Sequence, residues 1–417
     1  MSRWIKNFDE LATSKERKIA LQIAEAGFEA ISTRDVIANS IKLKNNILSV
    51  KDHKFDLGKF KKIKVIGFGK ASCEAASALE DILGDKIKEG AVIGLQKVTC
   101  EYIETFAGSH PRPSTQNIEA GQKILAIAEN STENDLVIVI VSGGGSALLC
   151  VDQVECEQGQ RLYDSFLKTG KTISVLNTVR KHISSLKGGG LAKVLYPAAV
   201  ISLIFSDVPG DKFEDVASGP TYKDETTIAD AQKIITEYDL GNFSLIETPK
   251  EDKYFEKAHN IVLVSNKTAV EAMAEKANEL ALEPNIISTN LYEETDEALN
   301  KIFNAKGYVI LAAGEPKLEV TKKGGSAGRN LFMGMKSVSK ISDKAVFIAL
   351  ASDGMDNSDA AGAIVDKYTE EKIEKLGLNL EEYIANFDAF PVFEKTGDMI
   401  MTGPTGANVS DLFILLK

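Results

Sequence analysis

The chain predicts a two-domain α/β protein, and three observations carry that reading. Its 417 residues exceed what one hydrophobic core usually organises. Short runs rich in Val and Ile alternate with helical patterns, the rhythm of βαβ units around a parallel sheet. Several of these runs end in glycine-rich turns that open a following helix, where open α/β sheets place ligands. The polar stretch Gly241 to His259 reads as the crossover, giving domains over residues 1–245 and 260–417.

The stretch Asp135 to Leu149 is the centre of the first domain. Leu136 to Val141 are all apolar, the mark of a strand buried on both faces. Ser142, Gly143, Gly144 and Gly145 follow, and Ser146 opens a predicted helix. Glycine lets backbone N–H groups approach an anion, and a helix N-terminus adds positive potential. Residues 142–147 are therefore a candidate cradle for phosphate or carboxylate, although a plain tight turn would read the same way.

Composition narrows the function. A hydrophobic fraction of 44% and a charged fraction of 26% are ordinary for a globular enzyme. A net charge of −11 with no basic tail argues against a nucleic-acid partner. An anionic ligand would then need a local basic cluster. The N-terminus lacks a signal-peptide core, and no apolar run approaches the ~20 residues of a membrane helix. A cytoplasmic protein without a membrane partner is expected. Cys73, Cys100, Cys150 and Cys156 show no zinc or redox spacing and read as reduced thiols. Only His110 and His182 lie in motif-like surroundings, so a histidine-centred metal site is not expected.

Along the chain, residues 1–50 read as helical and as packing on the first domain, because Ile19, Ile23, Ala26 and Ala30 share one face. Lys64 to Ser72 is a strand, a glycine turn and a helix start that nearly matches the dinucleotide fingerprint, with Ser72 in the third glycine position. The next strand, Ala91 to Leu95, ends in Gln96-Lys97 where a ribose-binding acid should stand, which disfavours NAD. Lys70 becomes the residue of interest, an ammonium able to meet an anion as a point charge. The Pro-bracketed loop Gly108 to Ser114 keeps His110 as a site candidate. Lys168 to Thr172 mimics the end of a Walker A loop, but Ser165 occupies its first glycine position and no strand precedes it.

Arg180 and Lys187 lie seven apart ahead of Gly188-Gly189-Gly190 and read as one basic face that binds an anion. Asp207 follows the buried strand Ala199 to Phe205. The second half repeats the idiom with strands at Ile261–Val264, Tyr308–Leu311, Glu315–Thr321, Ala345–Leu350 and Leu412–Leu416. Its basic glycine loop, Lys322 to Asn330, carries Gly325, Arg329 and Asn330, and Asp353 follows a strand. Strand-Ser-Asp and then Gly-Pro-Thr occurs in each half, suggesting that each brings an acid to a common cleft. Glycine turns, cations and strand-end aspartates suit phosphoryl transfer, which needs neutralised charge, held magnesium and aligned reactants. A Gly-x-Ser-x-Gly nucleophile elbow is absent around Ser142 and Ser146.

Taken together, these runs resemble the class II glycerate 2-kinases, whose C-terminal part is called the MOFRL domain. The resemblance covers nearly the whole chain and rests on Gly67–Ser72, Ser142–Leu149, Asn177–Ala192, Ser206–Thr221, Gly324–Asn330, Asp353–Asp366 and Thr402–Asp411. It implies a Rossmann-like three-layer N-terminal domain, a smaller MOFRL-type domain and an active site in the cleft between them. It also implies transfer of the ATP γ-phosphate to D-glycerate, giving 2-phosphoglycerate and ADP with Mg2+. Lys70, Asp207, Arg329 and Asp353 match positions that look functional in the family. Lys70, Arg180 and Lys187 would neutralise substrate carboxylate and phosphoryl group, Arg329 would contact a phosphate, and Asp207 and Asp353 would hold magnesium or orient the hydroxyl. The departures are Ser114 for an acid, Ala313-Gly314-Glu315-Pro316-Lys317 for Gly-Gly-Glu-Thr-Thr, and Leu331 for Gln. They bear on the acceptor more than on the reaction. A kinase of another hydroxy or sugar acid, a nicotinamide-dependent hydroxypyruvate reductase and a non-catalytic anion-binding module are the rival readings; monomer and homodimer are both open.

Overall fold

The structure, a computed structural model, describes residues 3–167, 173–210, 212–320 and 325–417. The rejected Walker-like run Lys168 to Thr172 lies outside the described residues, as do Lys322 and Lys323 of the second basic loop. The chain forms two compact units, residues 33–263 and residues 1–32 together with 264–417.

The first unit opens with a helix, Thr33–Ser40, and a small antiparallel sheet of β1 (Ile41–Lys44), β2 (Ile47–Val50) and β3 (His53–Asp56). Helix thus stops at Ser40, where the sequence reading carries it to residue 50. Asn45 and Asn46 take φ of 49° and 66°, the two left-handed residues of a tight hairpin turn.

The main sheet contains β4 (Lys62–Phe68), β5 (Ile87–Gly94), β6 (Glu104–Ala107), β7 (Asp135–Ser142), β8 (Ala199–Phe205) and β9 (Ala258–Val264). Their spatial order is β6-β5-β4-β7-β8-β9, and the β6–β5, β5–β4, β4–β7 and β7–β8 pairs are parallel. Counted from β4, this is the 3-2-1-4-5-6 order of the Rossmann fold. All of β7 is buried, as its unbroken apolar run requires. Val139 and Val141 pack with Ile124 and Ile127 of the helix Thr115–Glu129. Because β9 completes this sheet, the division falls past residue 263 rather than within the polar stretch. That stretch is pinned to its own unit. Ile246 N–H donates to the His182 carbonyl at 2.7 Å, and Ser244 N–H to Gln158 Oε1 at 2.6 Å.

The second unit is built on β10 (Pro284–Leu291), β11 (Val309–Gly314), β12 (Val346–Ala351), β13 (Gly362–Val365), β14 (Met399–Ile400) and β15 (Asp411–Leu416). The order is β10-β11-β15-β12-β13-β14, with β10–β11 parallel and the remaining pairs antiparallel. Glu315 to Val320 is not a strand; Pro316 lacks the N–H a ladder needs, and only Lys317 makes an isolated bridge.

The N-terminal helix Lys15–Ala30 belongs to this second unit, contrary to its expected place on the first domain. Gly27 leaves room for the Met273 side chain, which a Cβ would meet at 3.0 Å. Arg17, 1% exposed, donates from Nε and Nη2 to the two Asp366 oxygens at 2.6 and 2.7 Å, and from Nη1 to Asp398 at 2.8 Å. Burial disfavours the charge, but the two carboxylates overcome it and raise the guanidinium pKa. Arg17→Met would leave Asp366 buried without its bidentate partner. A loss of about 3–5 kcal/mol is expected for breaking such a pair, read as a lower urea midpoint for the second unit.

Candidate active site

The carboxyl ends of β4 and β7 finish side by side, with Phe68 opposite Val141, at the point where the strand order reverses. The loops beyond them are clamped together. Lys70 N–H donates to the Gly143 carbonyl at 2.8 Å, Ala71 N–H to Ser142 Oγ at 3.1 Å, and the Ser72 and Ser142 hydroxyls lie 3.1 Å apart. Gly69, at φ 122°, is required here because a Cβ would overlap Ser142.

Two glycines follow, and side chains from three other segments stand close over them. A Cβ at Gly143 would overlap the Asp207 carboxylate. A Cβ at Gly144, itself at φ 76°, would lie 3.1 Å from Lys70 Cγ and 3.2 Å from His110 Cδ2 and Nε2. Lys70, His110 and Asp207 therefore surround Gly143-Gly144. Lys70 and Asp207, both singled out in the sequence as site residues, meet here, and the site candidate His110 joins them.

Other sequence expectations are revised. Ser142 is 1% exposed, and its hydroxyl holds the two loops rather than facing a ligand. The helix opening at Gly145 is a single turn, Gly145–Leu148, too short for a helix dipole to carry anion binding. Gly145 serves close packing, since a Cβ would meet that of Ala217 at 2.7 Å. The helix Ile173–His182 ends before Lys187, so Arg180 and Lys187 share no helical face. Lys187, 3% exposed, donates to Glu155 Oε1 at 2.6 Å, the Leu149 carbonyl at 2.8 Å and Ser184 Oγ at 3.3 Å. It ties helix Gln153–Leu167 to the end of the glycine loop. Cys150 and Cys156, expected as thiols, form a disulfide across the same junction.

Arg180 is placed differently from Lys187. Its guanidinium edges a cavity of about 30 Å³ that Ser146, Pro111 and Tyr163 also line. Burial lowers its pKa to about 10, and only Tyr163 opposes that shift. Its hydrogen bond is a long one to Asn177 Oδ1, 3.4 Å. Asn177 also accepts from Ser218 Oγ at 3.1 Å, and the Ser218 and Ser146 hydroxyls lie 2.8 Å apart. Ala217 and Ser218 both adopt positive φ, 50° and 62°, a cost that clusters at functional sites.

The second unit carries its own polar cluster. Arg329 pairs with Asp411, the first residue of β15, and Asn330 Nδ2 donates to Asp411 at 2.9 Å and Asp356 at 3.1 Å. Asp356 caps helix Arg329–Ser337 by accepting the Asn330 and Leu331 N–H groups at 3.0 and 2.7 Å. Burial opposes the Arg329 charge, but Asp411, Glu315 and Asp356 hold its pKa above the ordinary range. Among the described residues, Arg329 Nε and Asn330 Oδ1 are buried polar atoms with no hydrogen-bond partner, the kind of vacancy a bound group satisfies. Gly325, expected as part of an anion cradle, instead donates its N–H to the Asn386 carbonyl, and the Asp388 carboxylate packs where its side chain would be. Asp353 Oδ1 accepts the Met355 N–H at 3.1 Å, and its carbonyl accepts Thr405 N–H. Asp356 and Asp411 lie inside the Asp353–Asp366 and Thr402–Asp411 runs but were not singled out as site residues, because each acts by holding a neighbour.

Burial pushes the Asp356 carboxyl up to about 6, incompletely offset by the Leu331 and Asn330 N–H groups and reinforced by Asp411. An unfolded aspartate titrates near ~4, so between about pH 4 and 6 the folded state holds a proton that the unfolded state has released. The stabilisation is complete below pH ~4 and is lost as pH rises through about 6, roughly 3 kcal/mol in all. Asp356→Asn should flatten that part of the pH dependence, measured as urea midpoints of variant and wild type at pH 4.5 and 7.

Residues 19–245 match the family described as "Domain of unknown function (DUF4147)", and residues 308–411 match the MOFRL family. The chain is 33% identical to a glycerate 2-kinase of Pyrococcus horikoshii, over 96% of this chain and 97% of that protein. It is 34% identical to a putative hydroxypyruvate reductase of Agrobacterium vitis, over 84% of this chain and 86% of that protein. The crystal structure of glycerate kinase from Thermotoga maritima matches with a TM-score of 0.80 at 29% identity, covering 96% and 98% of the two chains. A crystal structure of a Pyrococcus horikoshii protein matches with a TM-score of 0.76 at 32% identity, covering the same shares. The chain belongs to the glycerate 2-kinase family, with a DUF4147 domain followed by a MOFRL domain.

Proposed function

We propose that the protein transfers the γ-phosphate of ATP to the 2-hydroxyl of D-glycerate, giving 2-phosphoglycerate and ADP. The observation that carries this reading is the arrangement at the sheet's reversal point. Two side-chain-free residues, Gly143 and Gly144, are faced by the Lys70 side chain and the Asp207 carboxylate. A phosphoryl group carries spread negative charge through transfer, and catalysis consists largely of positioning it and neutralising that charge. Lys70 supplies the cation, and the two glycines let it and the Asp207 carboxylate come close against the turn.

Magnesium in kinases is held by one or two carboxylates together with substrate phosphates, not by an all-protein cage. A strand-end carboxylate such as Asp207 fits that requirement, and Asp353 is the corresponding candidate in the second unit. Among the described residues no group of three or more His, Cys, Asp or Glu forms a self-sufficient site. When bound, the ion would offset phosphate charge. Arg329 would meet a phosphate through Nε, its unpartnered donor, while Nη1 stays on Asp411. Arg180, desolvated and with no carboxylate partner among the described residues, would take the acceptor's carboxylate, with Ser146 beside it.

The reductase named among the relatives is the second reading. It requires an acid to hold the nicotinamide ribose, and Gln96 and Lys97 follow β5 instead. Incubation with ATP and a panel of hydroxy acids, reading the phosphorylated carbon by phosphorus NMR, separates glycerate from other acceptors. Oxidation of NADH by hydroxypyruvate without ATP would overturn the kinase reading. Lys70→Met should lower kcat by about 10² or more with an unchanged unfolding transition. Arg180→Gln should raise KM for the acid about 10- to 100-fold while KM for ATP stays put, as expected for one charge-assisted hydrogen bond.

A further inference from the structure

The geometry points to His110 as the group that takes the proton from the attacking hydroxyl, an inference that rests on the kinase reading. Three observations carry it. The imidazole edge bearing Cδ2 and Nε2 faces Gly144, each atom 3.2 Å from where a Cβ would stand. The same glycine is faced by the Lys70 side chain, and its neighbour Gly143 by the Asp207 carboxylate, so the imidazole borders the turn assigned to the moving phosphoryl group. His110 is also solvent-exposed while the loop that carries it is anchored from beneath, which suits a side chain serving an incoming substrate.

The anchor is Asn117, 0% exposed on the helix Thr115–Glu129. Its Oδ1 accepts the N–H groups of Ser109 and Ser114 at 2.9 and 3.0 Å, closing both ends of the loop. Its Nδ2 donates to the Ser109 carbonyl at 3.2 Å and to the Leu148 carbonyl at 3.1 Å. One amide therefore fixes the histidine loop to the end of the glycine loop. The Ser114 contact is the capping box of the helix; the bonds to Ser109 and Leu148 go beyond it.

In the step inferred, the acceptor's hydroxyl oxygen forms a bond to the γ-phosphorus as the bond from that phosphorus to the β-bridging oxygen breaks. The bond's electron pair leaves with ADP, and the hydroxyl proton passes to the imidazole nitrogen. This frees Asp207 from the choice between metal and hydroxyl. Its carboxylate keeps the metal role, and Lys70 the charge of the phosphoryl group.

The test compares His110→Ala and His110→Gln with wild type under saturating ATP and acid. Both variants should lose about a hundredfold or more in kcat, the range of general acid–base catalysis, with KM values within a few-fold. Added imidazole should restore His110→Ala in a saturable way and leave His110→Gln unchanged. The inference is overturned if His110→Ala keeps kcat within threefold, if His110→Gln works as well as wild type, or if imidazole rescues nothing. A wild-type protein that phosphorylates no hydroxy acid would instead overturn the kinase reading itself.

Discussion

The first unit's chemistry depends on the clamp between the ends of β4 and β7. Parallel neighbours in a Rossmann order run apart on either side of the reversal point, and their loops would splay without a bond across it. Ser142 supplies that bond through its hydroxyl to Ala71 N–H and Ser72, while the Gly143 carbonyl receives Lys70 N–H. Each of these interactions sets a residue beside the two glycines. Lys70 is aimed by its own backbone bond, and Gly69 is glycine because Ser142 must come that close. Asp207 reaches the same glycines because β8 pairs with β7 in register, Phe205 opposite Ser142.

The first unit's main sheet could be read from the sequence almost strand by strand, because buried parallel strands write themselves as unbroken apolar runs. β7 and β8 extend only one or two residues beyond their Val- and Ile-rich runs at either end. The hairpin at 41–50 was legible too. Ile41-Lys42-Leu43-Lys44 alternates at period two and Asn45-Asn46 is a turn signal, but a helical face further upstream outweighed it. Residues 1–32 could not be placed by pattern at all. An amphipathic helix declares that it has a partner, not which one; Arg17 finds Asp366 and Asp398 more than three hundred positions away.

The site was legible where chemistry and strand ends coincide, as at Lys70 and Asp207, and illegible where a charged residue serves the scaffold. Lys187 looks in sequence like Arg180, a cation beside glycines. The difference lies in Glu155, on another helix, which pairs with Lys187 at 2.6 Å, whereas Arg180 has no carboxylate partner among the described residues. Asn117 was invisible for the opposite reason. It sits at an ordinary helix start, where it bonds the Ser114 N–H in a capping box, and its further worth comes from three backbone groups, two of Ser109 and one of Leu148, that folding brings within its reach.

The Ser-Asp and Gly-Pro-Thr echo shows how far one idiom can be turned to different ends. In the second unit Thr405 holds the acid's loop directly, its hydroxyl donating to the Ser352 carbonyl at 2.6 Å and its N–H to that of Asp353. In the first, Thr221 bonds Asn260 at 2.7 Å and accepts from Ser202 at 3.0 Å, so it secures β8 and β9 rather than the loop of Asp207. The sheets differ in the same way, one with parallel pairs around its reversal point and the other antiparallel on both sides of β15. What the halves share is instead a physical solution: a serine-aspartate turn at the carboxyl end of a buried strand, where backbone donors are plentiful and a carboxylate can face outward.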